Sequence, residues 1–242
     1  MALDQTTVLY SIAVVWVSAA LQGITGFGYM MLAVPALILI FPPQVVVPAL
    51  IMTWIPLGSV QVVQFRRHVD WGILAQLLAS SAVALPLGAV ILRDTDPATM
   101  QRAIGVLLVG LAVVLQVKPG PPFRHERAAR VGAGLVAGLL ASSTSVSGPP
   151  LVLLGLKQRW ETEAFRSTLP AFFLAIAFLC LPLHWGMDLL GDHSISLAVY
   201  GAPGLVLGYL TGVWLRRRVR GRAFRWAAIG LVMAGGLAAV VS

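Results

Sequence analysis

The feature that most constrains this chain is an uncharged stretch near its N-terminus. No Asp, Glu, Lys or Arg lies between Asp4 and Arg66, a run of 61 consecutive residues. A transmembrane helix needs about 20 apolar residues, so this run alone holds enough chain for about three crossings. Further uncharged runs follow along the sequence, and only 11% of the 242 residues are charged. Soluble domains carry about a quarter charged residues, so we predict a polytopic membrane protein.

The uncharged runs are long and lack the alternation of a transmembrane strand, which favours an all-α architecture over a barrel. The same composition excludes a soluble enzyme. Cys180 is the single cysteine, which excludes a disulfide scaffold. The net charge of +8 is spread over residues scattered between the spans, so we expect no nucleic-acid partner. The expected partners are the lipid bilayer and a small solute, and we expect no cofactor and no metal.

The polar, Pro/Gly-rich segment from Lys118 to Arg127 divides the chain into two nearly equal parts. Each part reads as a hairpin followed by three crossings. The first repeat, 1–117, is predicted to contain hairpin 6–41 and spans 44–65, 71–92 and 103–117. After a linker at 118–130, the second repeat, 131–242, is predicted to contain hairpin 131–156 and spans 167–183, 196–215 and 226–242.

Short matches between the two parts occur in the same order. Gly23–Gly28 aligns with Ser142–Ser147, and Gly88 aligns with Gly212. Three crossings is an odd number, so the second repeat is predicted to face the opposite way from the first. This is an inverted-topology repeat, an architecture found in secondary transporters.

Basic residues predict the orientation. If 131–156 is a hairpin, 15 Lys/Arg lie on one side of the membrane, and only Arg93 and Arg102 lie on the other. The positive-inside rule then makes the linker cytoplasmic and places both termini outside. We expect the protein in the cell inner membrane.

Each predicted hairpin turns at an island of Gly, Ser and Thr within apolar sequence. We expect a helix to begin after each island, near Met30 and near Pro150, with its free N–H groups at membrane depth. Such helix starts bind anions. The candidate substrate-binding residues are Gln22, Gly23, Thr25, Gly26 and Gly28 in the first island, Ser143, Thr144, Ser145, Ser147 and Gly148 in the second, and Arg166 before the next span.

Other interpretations of these residues stay open. Small residues also let transmembrane helices approach each other closely without any ligand. Arg166 is either an anion contact or an ordinary cytoplasmic anchor, and Arg93 is either part of an access funnel or an ion-pair partner of Asp94. Gln61 and Gln64 lie three residues apart on one predicted span, so both can face a pore.

Three segments also resemble a known family. Gly23–Gly28 followed by Pro35, Val146–Leu151, and Phe165–Thr168 are similar to motifs of the sulfite exporter TauE/SafE family of membrane permeases. The resemblance covers essentially the whole chain. It implies transport of sulfur-containing anions such as sulfite, taurine-like sulfonates or sulfoacetate.

The favoured hypothesis is a secondary permease, not an enzyme, that moves such an anion by alternating access with the substrate at the two tips. The alternatives are a non-transporting membrane subunit, an anion channel and an intramembrane serine hydrolase. The hydrolase would use Ser145 or Ser147 with His184 as base. We expect His184 in an outer loop, too far from the serines for that chemistry.

Overall fold

The computed structural model describes residues 4–26, 28–114, 120–216, 236, 238 and 239. Within these residues there are nine α-helices and no β-strand. They are α1 Gln5–Thr25, α2 Tyr29–Leu37, α3 Pro43–Phe65, α4 Trp71–Asp94, α5 Pro97–Val114, α6 Glu126–Thr144, α7 Gly148–Lys157, α8 Thr162–Gly186 and α9 Asp192–Leu215. Nearly all of the predicted span 226–242 lies outside the described residues, as do Phe27, part of the linker and most of the predicted basic loop 216–225.

Six of these helices are long and apolar enough to cross a membrane, namely α1, α3, α4, α5, α8 and α9. Several of them carry large apolar side chains on their outer surfaces. Val83 of α4 is 75% exposed, and Val106 of α5 is 61% exposed. Extensive exposed apolar surface suits a protein surrounded by lipid rather than water. The prediction of an all-α polytopic membrane protein is therefore confirmed.

Three helices begin ahead of the uncharged runs from which their spans were predicted, and α5 has a capping carboxylate at its start. The Asp96 carboxylate accepts a 3.0 Å hydrogen bond from the Thr99 N–H, and Pro97 fits the first helical turn because that turn needs no N–H donor there. α5 therefore begins at Pro97 rather than near residue 103. α8 and α9 begin at Thr162 and Asp192, also ahead of the apolar runs that follow, but without a side-chain cap at either start.

α3 crosses the whole structure and defines its two ends. We call the end where α3 begins the Gln44 face and the end just beyond α3 the His68 face. At the Gln44 face, the Gln44 amide donates a 3.1 Å hydrogen bond to the Leu92 carbonyl near the end of α4. At the His68 face, the Ser167 hydroxyl near the start of α8 donates a 2.7 Å bond to the His68 carbonyl. The ends of these three crossings therefore alternate between the two faces.

Two parallel helix pairs, α1 with α9 and α4 with α6, are packed through glycine. On α9, Gly208 and Gly212 lie one turn apart against α1, and a Cβ at Gly208 would fall 2.2 Å from the Trp16 carbonyl oxygen. On α6, a Cβ at Gly138 would fall 2.3 Å from the Ser81 carbonyl oxygen of α4. Within lipid, such close backbone approach supplies the packing energy that holds helices together.

The two short helices complete hairpins with the helices before them. α2 folds back along α1, so the Tyr10 hydroxyl donates a 2.9 Å hydrogen bond to the Ala36 carbonyl near the end of α2. α7 folds back along α6 in a similar way. We call Gly26–Gly28, between α1 and α2, the first tip, and Ser145–Ser147, between α6 and α7, the second tip. Helices therefore begin at Tyr29 and Gly148, close to the predicted starts.

The two tips lie at different levels along α3. Beside the first tip, the Gln22 amide nitrogen lies 3.4 Å from the Gln61 side-chain oxygen. At the second tip, the Ser145 hydroxyl donates a 3.1 Å bond to the Val47 carbonyl. Val47 and Gln61 lie on opposite sides of the middle of α3, so the first tip lies toward the His68 face and the second toward the Gln44 face.

The glycine contacts between α4 and α6 give a stability prediction. Gly138→Ala places a methyl group against the Ser81 carbonyl, and such overpacking costs about 1–3 kcal/mol of folding free energy. We expect a lower melting temperature for purified protein in detergent. Gly110→Ala is the matched control, because a Cβ at Gly110 meets nothing within 4 Å. Equal melting temperatures for the two variants would contradict close packing of α4 on α6.

Candidate functional site

A central cavity of about 70 Å³ lies between the two tips and the middle parts of α3 and α8. One water molecule needs about 10–15 Å³ of volume measured with a water-sized probe, so the cavity has room for a small ion. The predicted site residues that line it are Gln22, Gly28, Ser145, Ser147 and Gly148. The facing side chains of α3 and α8 are Ile51, Trp54, Phe173, Ile176, Ala177 and Cys180.

Gln22 braces the first tip from inside the protein. Its side-chain oxygen accepts a 3.1 Å hydrogen bond from the Tyr29 N–H, the first amide of α2. Its amide nitrogen donates to the Gly26 carbonyl at 3.2 Å. Gln22 therefore satisfies one of the helix-start donors that the sequence analysis assigned to an anion, and it holds the break in the chain at a fixed geometry.

Ser147 is the predicted hydroxyl that is free to bind a ligand. Its side chain is only 5% exposed and lines the central cavity. Within the described part of the chain, no hydrogen-bond partner is present for this hydroxyl, whereas the Ser145 hydroxyl donates to the Val47 carbonyl at 3.1 Å. Because Ser147 lines the cavity and its hydroxyl is not used within the protein, this hydroxyl can donate to a ligand oxygen placed there.

The other predicted hydroxyls serve the helices that carry them. Thr25 donates to the Leu21 carbonyl at 2.8 Å. Ser143 and Thr144 donate to carbonyls one turn earlier in α6, at 2.7 and 2.9 Å. Ser143 and Thr144 line neither the central cavity nor the larger cavity described next. The structure therefore brings only part of the predicted hydroxyl shell to one place.

A second cavity of about 740 Å³, which we call the vestibule, opens at the His68 face. It lies between the C-terminal parts of α1, α3 and α9 and the N-terminal part of α8. The predicted residues on its wall are Gly23, Thr25, Gly26, Gln61, Gln64 and Arg166. Gly23 also packs against α9, since a Cβ there would lie 2.9 Å from the Gly212 Cα. That contact fits the packing interpretation given for small residues.

A neck separates the vestibule from the central cavity. Gln22 and Phe173 line both spaces. The rings of Phe173 and Trp54 meet edge to face, with centroids 6.0 Å apart. We did not predict Trp54 or Phe173 as site residues, because an aromatic side chain within an apolar run carries no signal that separates a cavity wall from ordinary core.

Toward the Gln44 face, buried residues of α6, its tip and α8 are joined by hydrogen bonds. The Ser142 hydroxyl donates a 2.7 Å bond to the Leu85 carbonyl of α4. His184 Nε2 lies 3.0 Å from the Ser142 carbonyl oxygen. His184 is fully buried within α8, so its predicted place in an outer loop is wrong. The apolar span simply continues past the histidine, because a buried backbone carbonyl supplies it with a polar partner.

Positive charge lies beside the vestibule and not in the central cavity. No Lys, Arg or His is among the described residues that line the central cavity. Arg166 and Arg216 line the vestibule. The Arg166 guanidinium carbon lies 5.9 Å from the centre of the Phe65 ring, and within the described chain Arg166 makes no ion pair. Arg93 pairs with Asp94 at 2.6 Å, which favours the ion-pair interpretation of that residue.

These features define a class of protein, namely a multi-pass membrane protein with a small central cavity beside a larger vestibule. The chain matches the profile of the family described as Sulfite exporter TauE/SafE over residues 11–239, and it belongs to that family. The resemblance noted in the sequence is thereby confirmed, and the protein is a member of a membrane transporter family. No curated protein and no solved structure matches the chain.

The vestibule gives an accessibility prediction. In a Cys180→Ala background, Gln64→Cys should react with a membrane-impermeant maleimide in inside-out vesicles, since Gln64 is an exposed residue of the vestibule wall. Ser145→Cys should stay unlabelled because Ser145 is only 6% exposed. Val83→Cys serves as a control, because its exposed side chain faces lipid, where thiolate does not form. Labelling of Gln64→Cys only in right-side-out vesicles would reverse the predicted orientation.

Proposed function

We propose that the protein is a secondary permease for a small sulfur-containing anion, such as sulfite or an organosulfonate, and that it works by alternating access. The observation that carries this proposal is the central cavity, which both tips line and which lies next to a vestibule at the His68 face. A carrier needs a site of this kind, reached from one side of the membrane and closed toward the other. A channel needs an open path, so the buried, hydrogen-bonded second tip on the Gln44 side favours a carrier over an anion channel.

The helix contacts support an inverted repeat. If α1 to α5 correspond to α6 onward, then α1 against α9 is equivalent to α6 against α4, and these are the two glycine-packed pairs. The sequence matches align Gly23 with Ser142 and Gly212 with Gly88. Gly23 packs on Gly212, and a Cβ at Gly88 would lie 2.2 Å from the Ser142 hydroxyl. Equivalent residues thus make equivalent contacts across the two proposed repeats.

The orientation proposed from basic residues makes the His68 face cytoplasmic. Five basic residues lie at this face. Arg66 and Arg67 follow α3, Lys157 ends α7, Arg159 lies between α7 and α8, and Arg166 lies in the second turn of α8. Positive residues concentrate in cytoplasmic loops. The vestibule then opens to the cytoplasm of a cell whose inner membrane holds the protein, with the N-terminus outside.

In this mechanism an anion enters the vestibule past Arg166, whose charge raises the local anion concentration. It passes the neck at Gln22 and Phe173 and binds in the central cavity, where Ser147 donates to it. Release on the far side requires the second tip to part from α3 and α8, while the first tip closes the neck. The proposed repeat supplies two similar halves that can exchange these roles.

The hydrolase alternative receives no support from the partners of its residues. His184 is bonded to the Ser142 carbonyl, and the Ser145 hydroxyl is bonded to the Val47 carbonyl. Nucleophilic catalysis needs a base hydrogen-bonded to the serine hydroxyl. Membership of a transporter family also favours transport over catalysis and over a purely structural subunit.

The direct test is saturable uptake of labelled sulfite, taurine, sulfoacetate, sulfate and lactate into proteoliposomes, with and without a membrane potential. Gly148→Leu is the matching variant, because a Cβ at Gly148 already lies 3.5 Å from the Phe173 ring and a larger side chain would fill the cavity. We expect this variant to lose transport while it keeps its melting temperature. The proposal fails if the native protein moves none of these anions.

Ser147 gives a second prediction for the proposed site. A hydrogen bond to a charged group is worth about 1.5–3 kcal/mol, so Ser147→Ala should raise the KM for the transported anion by about tenfold or more. Ser143→Ala is the control, because the Ser143 hydroxyl bonds only within its own helix. The measurement is the concentration dependence of initial uptake rates. An unchanged KM for Ser147→Ala would remove Ser147 from the site.

A further inference from the structure

The central cavity has two chemically different sides. The side formed by the tips carries the polar groups. The Ser147 hydroxyl is free to donate, whereas the Gln22 amide and the Ser145 hydroxyl already donate to protein oxygens. The opposite side is formed by α3 and α8 and is apolar, with Trp54 and Phe173 among its side chains. A bound ion therefore meets the Ser147 donor on one side and hydrocarbon or aromatic surface on the other.

The cavity also lacks a cationic partner for its ligand. The titratable side chains on its described wall are Tyr29 and Cys180, and a phenol or a thiol is never positively charged. His184 packs beside the second tip, but its Nε2 is directed to the Ser142 carbonyl. Arg166 belongs to the vestibule, on the far side of the neck. The charge of a bound anion must therefore be balanced by neutral donors alone.

The free-energy cost of binding an anion in such a site rises steeply with the charge of the anion. Moving an ion out of water costs free energy that grows with the square of its charge. A neutral hydroxyl donor such as that of Ser147 recovers part of this cost for one negative charge and a much smaller part for two. A tetrahedral ligand with four polar groups has a further cost. Its fourth polar group would lose its hydration against the apolar side of the cavity and would find no hydrogen-bond partner there.

We infer that the central cavity selects small monoanions with one apolar end, as in a short alkanesulfonate, and discriminates against tetrahedral dianions such as sulfate. The sulfonate oxygens lie against the Gln22 and Ser147 side, and the alkyl end lies against Trp54 and Phe173. This inference rests on the proposed permease function and narrows its substrate class. For sulfite, it makes the hydrogen sulfite form the transported species.

Three anions of similar shape test the charge selection and the role of the apolar side separately. Methanesulfonate is a monoanion with an apolar end, sulfamate is a monoanion with a polar end, and sulfate is a dianion. We expect initial proteoliposome uptake rates, at equal concentration and with the membrane potential clamped at zero, in the order methanesulfonate, sulfamate, sulfate. The difference between methanesulfonate and sulfate should be about tenfold or more, as expected for an additional charge at membrane depth.

The pH dependence of the same assay supplies the internal control. Methanesulfonate stays a monoanion across the neutral range, so its uptake should change little between acidic and alkaline buffer. Sulfite uptake should rise in the acidic buffer, where hydrogen sulfite is the larger fraction. Parallel changes for both anions would point to titration of the protein and would overturn the assignment of hydrogen sulfite as the transported form.

A binding measurement gives a second readout that does not depend on turnover. Methanesulfonate should raise the melting temperature of the detergent-purified protein, because a ligand stabilises the state that binds it. Sulfate at the same ionic strength should raise it less. The Gly148→Leu protein, with its cavity filled, should show no difference between the two salts.

The outcomes distinguish this inference from the proposed function. Saturable uptake of sulfate at a rate equal to or above that of methanesulfonate would overturn the charge selection and leave the permease standing. Equal rates for sulfamate and methanesulfonate would overturn the role of the apolar side. No saturable uptake of any anion would remove both the inference and the function on which it rests.

Discussion

A helix that stops inside a membrane leaves backbone donors and acceptors that no water molecule can satisfy, and the centre of this protein is organised by that constraint. The two tips satisfy these backbone groups in different ways. At the first tip, Gln22 caps the Tyr29 N–H and also binds the Gly26 carbonyl. At the second tip, Pro149 and Pro150 lie at the start of α7, and proline has no N–H to satisfy. Ser147 keeps a free donor, and it lies on the wall of the cavity.

The glycine-packed helix pairs determine which other helix must move together with each tip. α1, which carries the first tip, is fixed along α9 by backbone contacts at Gly208 and Gly212. α6, which carries the second tip, is fixed along α4 by contacts at Gly138. Each hairpin is thus joined more closely to a crossing from the other part of the chain than to the crossing that follows it. Any rearrangement that moves a tip has to carry that distant crossing with it, because such interfaces leave no space for sliding.

Sequence reasoning predicted the helical membrane class and the two breaks, because charge spacing and clustered small residues report directly on lipid contact and on unwound backbone. It could not predict which hydroxyls are free. Thr25 and Ser143 lie inside helices, where a carbonyl one turn earlier is always available to a hydroxyl. Ser147 lies just beyond a helix end and lacks that carbonyl. The difference depends on where the helices stop, and a boundary error of two or three residues hides it.

The sequence could not identify the side chains of the apolar cavity wall, for a related reason. Trp54 and Phe173 have the composition of ordinary core, and only the folded arrangement brings them to a cavity wall. His184 shows the converse, since a polar residue near the end of an apolar run indicated a loop until a carbonyl from another helix gave it a partner.

The strength of the contacts differs between the places that stay fixed and the places that must open. The helix pairs are held by backbone packing along several turns. The seal toward the Gln44 face consists of a few hydrogen bonds from Ser145, Ser142 and His184 to single carbonyls. A hydrogen bond of this kind contributes only about 1 kcal/mol net. Ligand binding can offset the cost of breaking such hydrogen bonds, but not the cost of separating a glycine-packed helix pair. The weak contacts therefore lie where the proposed alternating access needs a moving part.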